Sequence, residues 1–92
     1  MKQLKGFDPL LFLEIKNVDP KDRNKLSFEL MSQISEFLAI KTLQLIPGEK
    51  AEEFNSLEEL FKYAQENILN FDLKVKQFLD EFKKEYQKNL NG

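Results

Sequence analysis

The chain has 92 residues, 14 basic and 16 acidic, a formal charge of -2 and 41 % hydrophobic side chains. That is one domain, residues 1–92, with enough apolar material for a single core and too much for a disordered chain. It contains no Cys, no His and no Trp. Disulfides, thiolate nucleophiles, zinc–thiolate sites and imidazole chemistry are therefore excluded.

Asp8-Pro9 reads as a helix cap followed by proline at the first helical position, where the missing N–H is not needed. Leu10, Leu11, Leu13 and Ile15 give this first, short helix its apolar side, and it should stop near Lys16-Asn17. Asp19-Pro20 opens a second helix that can run to Ile46, where Pro47-Gly48 stops it. Leu26, Leu30, Met31, Ile34, Phe37, Leu38 and Leu45 cover roughly 140° of its circumference, and Phe28, Ala39 and Ile46 widen the arc past roughly 200°. Such a helix is central, with neighbours on several sides or a second subunit on one. Pro47 to Phe54 should form a turn or two of helix, with Ala51 and Phe54 inward. Ser56-Leu57-Glu58-Glu59 is a capping box, the most specific local signal in the chain. Leu57, Leu60, Phe61, Ala64, Ile68 and Leu69 follow at helical spacing. The last helix starts at Phe71 or Asp72 and lines up Phe71, Val75, Phe78, Leu79, Phe82, Tyr86 and Leu90, with Asn91-Gly92 as its stop. No period-two pattern persists. The expected fold is all-α, a compact bundle of four to five helices with a long central helix.

Met1 to Lys5 is charged, but the apolar run after it is short and no small-residue cleavage site follows, so a cytoplasmic location is expected. The carboxylate groups Glu49, Glu52, Glu53 and Glu58, Glu59 sit at helix starts, where negative charge already has a structural reason. Asp19, Asp22, Asn24 and Glu29 lack the spacing and the glycine of a calcium loop. Gly6, Gly48 and Gly92 are isolated, so no phosphate-cradling loop is present. No catalytic, metal or cofactor-binding residue is identified, and a non-enzymatic protein is expected.

Two binding classes remain. Lys74, Lys76, Lys83, Lys84 and Lys88 on the last helix are the nucleic-acid candidates, but Asp72, Asp80, Glu81 and Glu85 share that surface, whereas a nucleic-acid footprint is a stripe of one sign. The favoured class is a protein–protein interaction or self-association module. Its candidate interface is Phe12, off the face of the first helix, with Phe28, Ser32, Ser35, Ala39 and Ile46 on the less covered side of the second. A two-fold homodimer is the expected closed form. Charge is also uneven: residues 1–25 sum to +2 and residues 49–70 to -4. The two regions either attract each other within the fold or meet partners of opposite sign.

The order of signals resembles a known family. A Leu10-Leu11-Phe12-Leu13-Glu14-Ile15 helix precedes the Pro-opened long helix, then Leu43-Gln44-Leu45-Ile46-Pro47-Gly48-Glu49-Lys50, then Leu60-Phe61-Lys62-Tyr63-Ala64, then an amphipathic last helix. This resembles a family of short helical proteins of unknown function from ultra-small bacteria with reduced genomes, over about residues 10–86. The resemblance implies a helical fold and a cytoplasmic setting, and carries over no site residue.

Overall fold

The computed structural model describes residues 7–91, which form five α-helices and no strand: α1 (Pro9–Phe12), α2 (Pro20–Leu43), α3 (Gly48–Ala51), α4 (Leu57–Asn67) and α5 (Phe71–Asn91). The charged segment Met1 to Lys5, the helix stop at Gly92 and the side chain of Leu90 lie outside the described residues. The all-α bundle is as the periodicity predicts.

The helix starts are made by the side chains that sequence assigns to them. Asp8 Oδ1 accepts from the N–H groups of Leu10 (3.0 Å) and Leu11 (3.4 Å), and Asp19 Oδ1 accepts from Lys21 N–H at 2.9 Å. Ser56 Oγ accepts from Glu59 N–H at 3.2 Å. The return arm of this capping box lands one residue early, because Glu59 Oε2 accepts from Asn55 N–H at 3.0 Å. α1 is only four residues long because Glu14 takes up left-handed backbone, φ 59°. Ile15 N–H then bonds Leu10 C=O (2.9 Å) and Glu14 N–H bonds Leu11 C=O (3.1 Å), the pair of bonds that closes a Schellman stop. Ile15 packs against the cluster of Leu10, Leu13 and Leu30.

α2 is the scaffold, about 36 Å long at 1.5 Å per residue, and α1, α4 and α5 all pack on it. Ile34 and Leu38 meet Ala64 of α4 and Phe71, Val75 and Leu79 of α5 in the centre of the core. Leu10, Leu13 and Leu30 form one end of the core; Ala39, Ile46 and Leu60 form the other. Phe12 and Phe82 join the first end to the centre, and Phe61 and Ile68 join the second. Each fully buried Leu, Ile, Val or Phe contributes about 1.5–3 kcal/mol relative to exposure.

Four apolar residues that the sequence reading turns inward face out instead, the first of them Leu11, 77 % exposed on the four-residue α1. α2 ends at Leu43, three residues short of the expected Ile46. The tight turns Leu45 N–H to Thr42 C=O and Ile46 N–H to Leu43 C=O leave Leu45 exposed and swing Ile46 into the core. Leu57 is the first residue of α4 and lies at its edge, 45 % exposed. Leu69 is 83 % exposed because α4 ends at Asn67 and Asn70, φ 57°, redirects the chain into α5.

Candidate functional site: an apolar groove along α2

On the side of α2 away from α5, the helix surface forms a shallow groove of about 570 Å³. Phe28, Met31 and Ser32 line one end; Ala39, Ile40 and Leu57 line the other; Ser35 and Glu36 lie between. Phe28 is 74 % exposed, Ile40 51 %. A second hollow of about 350 Å³ shares Ala39 and Leu57 with the first and continues to Leu43, Ala51 and Phe54. The two make one apolar track from α2 across the start of α4 to α3. Exposed apolar side chains scattered singly are ordinary on a soluble surface, but a contiguous set beside a groove marks a contact site.

The residues singled out from sequence divide between this track and the core. Phe28, Ser32, Ser35 and Ala39 are brought together along the groove. Ala39 is both floor and core, 7 % exposed and packed with Ile46 and Leu60. Ile46 leaves the candidate interface, because the turn after α2 buries it against those same residues. Phe12 leaves it too. Its half-buried ring packs 5.1 Å from that of Phe7, and Lys83 Nζ sits 5.5 Å above it. Ile40, Leu57 and Met31 complete the track and escape the sequence reading. Ile40 falls outside the apolar arc of α2, and the periodicities turn Leu57 and Met31 inward.

The rim of the track is charged. Glu52 and Glu58 follow the lining residues Ala51 and Leu57 in the chain, exposed and engaged in no ion pair among the described residues. Lys50 Nζ donates to Glu53 Oε2 at 2.8 Å and lies over the rings of Tyr63 (5.1 Å) and Phe54 (5.8 Å). The bond to Glu53, and then the carboxylate's charge, raise the Lys50 pKa above its ordinary value. At the opposite end of α2, Lys21 and Lys25 are exposed and lie on the same side of the helix as Phe28 and Ser32, at intervals of three, four and seven residues.

On α5 the lysines alternate with acids as the sequence shows. Lys83 also reaches Glu14 at 3.9 Å, and Lys41 of α2 reaches Glu81 at 3.3 Å, so these charges tie the turn after α1, and α2, to α5. Among the described residues no group of three or more acidic side chains is placed to hold a metal ion, and no helix is long and apolar enough to cross a membrane. No family model matches the chain, and neither a curated protein nor a solved structure matches it.

Proposed function

We propose that the chain is a non-enzymatic helical module that docks a helix of a protein partner, from another protein or from a second copy of itself, in the groove of α2. The observation that carries this reading is Phe28, a large ring 74 % exposed at the edge of an apolar track. Fully burying a Phe against a partner is worth about 1.5–3 kcal/mol, and aromatic anchors of this kind dominate binding energy at interfaces. The groove has the form that receives an amphipathic helix, whose anchors repeat at three, four and seven residues. The carboxylates do capping and pairing work: Glu59 holds Asn55 N–H and Glu53 holds Lys50.

A photo-cross-linking amino acid placed at Ser32, in cells that produce the chain natively, tests this. A discrete protein adduct is expected from position 32 and none from position 62, an exposed position on α4 outside the groove. No adduct from position 32 overturns the proposal.

A further inference from the structure

The groove and its charged ends fit one occupant in particular. We infer that the α2 face receives α2 of a second copy of this chain, running antiparallel, so that Phe28 of each copy enters the Ala39–Leu57 end of the other's groove. This rests on the docking role proposed above and names the partner.

The first observation is that knob and hole lie on one helix. Phe28 projects from one end of the face, and the hollow at Ala39, Ile40 and Leu57 lies 11 residues on, about 16 Å along the axis. A two-fold axis passing between Ser32 and Ser35 carries Phe28 of one copy onto Ala39 of the other and repeats the contact in reverse. That is the requirement of a closed, isologous interface. At the crossing point stand two serines, whose small side chains permit an interaxial distance near the lower end of the usual 8–10 Å.

The second observation is charge. Lys21 and Lys25 stand at the N-terminal end of the face; at the other end Glu52 and Glu58, both exposed, follow the lining residues Ala51 and Leu57 in the chain. The two groups do not neutralise each other within one chain, because Lys25 and Ala39 are 14 residues apart, about 21 Å along α2. Among the described residues no ion pair joins residues 7–25 to residues 49–70. The antiparallel two-fold brings Lys21 and Lys25 of each copy over the α3–α4 end of the other. A parallel pair sets lysines on lysines and glutamates on glutamates, which repel. The face is one helix wide, so the interface is at the small end of the range.

Zero-length carbodiimide coupling of the purified protein at about 100 μM reads the arrangement directly. The expected product has twice the chain mass, and its peptide map joins Lys21 or Lys25 to Glu52 or Glu58. Lys21→Glu with Lys25→Glu should weaken association at least tenfold, and adding Glu52→Lys with Glu58→Lys should restore it. A dimer whose map contains only other pairs overturns the arrangement. A mass that stays at 10.9 kDa up to about 500 μM overturns the second copy as partner. If position 32 still yields an adduct in cells while the purified chain stays monomeric, this inference falls and the docking role stands. No adduct in cells removes the docking role itself.

Discussion

Thr42 is the residue most at odds with its surroundings. It is fully buried on α2 and its Oγ1 has no hydrogen-bond partner. An unsatisfied buried hydroxyl costs about 1–3 kcal/mol. Thr42→Val keeps the branched shape and removes the stranded oxygen, so it should raise stability by about 1 kcal/mol in urea unfolding. A loss of stability would show that the hydroxyl is bonded in solution. Ser56 is the opposite case. Its Oγ satisfies Glu59 N–H in the first turn of α4, so Ser56→Ala should lower stability by about 1 kcal/mol. A loss below about 0.3 kcal/mol would mean that α4 does not depend on this cap. Both are read from single atoms, yet only Ser56 was legible beforehand. The capping box has a fixed spacing, whereas a threonine on a helix announces nothing about whether its hydroxyl finds a partner.

At the scale of the elements, the caps and prolines located α1 to α4 and the apolar spacing located α5, and the stops were harder. Pro9 and Pro20 open α1 and α2 where the sequence puts them. The α1 stop has Glu14 in left-handed backbone and the corner from α4 into α5 has Asn70 there, and only asparagine carries a local preference for it. Glu14 was invisible as a helix stop, because glutamate favours helix interiors. The same ends decide which leucines face out. Leu45, Leu57 and Leu69 fit an ideal wheel but lie in or beside a terminal turn, where the wheel no longer holds. The α4–α5 corner gives a check. Asn70→Ala keeps the exposed surface but puts a β-carbon without a polar side chain at φ 57°, and should cost about 1 kcal/mol. An unchanged melting curve would mean that the corner is made by packing of Phe71 instead. The candidate site was legible in part for the same reason. Phe28, Ser32, Ser35 and Ala39 lie in the middle of a long regular helix, where periodicity is exact. Ile46 and Phe12 lie at element ends, where tertiary packing took them into the fold.

Across the whole molecule, the chain spans 44 × 26 × 20 Å with a radius of gyration of 14.5 Å, against about 12 Å for a globular domain of this length. α2 is buried along the half of its circumference that α1, α4 and α5 cover, and its other half carries Phe28 and Ile40 in solvent. A domain of this size buries only somewhat over ~60 % of its unfolded surface, so stability is modest and a partner on α2 adds to it by mass action. The centre of the core is correspondingly sensitive. Leu38 is fully buried, and Leu38→Ala should cost about 2–5 kcal/mol, measured by urea unfolding of the dilute protein. A cost below about 1 kcal/mol would contradict its central place.

Sedimentation equilibrium of the wild-type chain beside Phe28→Asp is the most direct measurement of the α2 face. The wild type should move from 10.9 kDa toward twice that mass as concentration rises from about 5 to 500 μM. Phe28→Asp should stay at the monomer mass throughout and melt at the temperature of the dilute wild type, because the ring it replaces lies on the surface. A wild-type mass that does not change with concentration, or a Phe28→Asp variant that associates as well as the wild type, would contradict self-association through the α2 face.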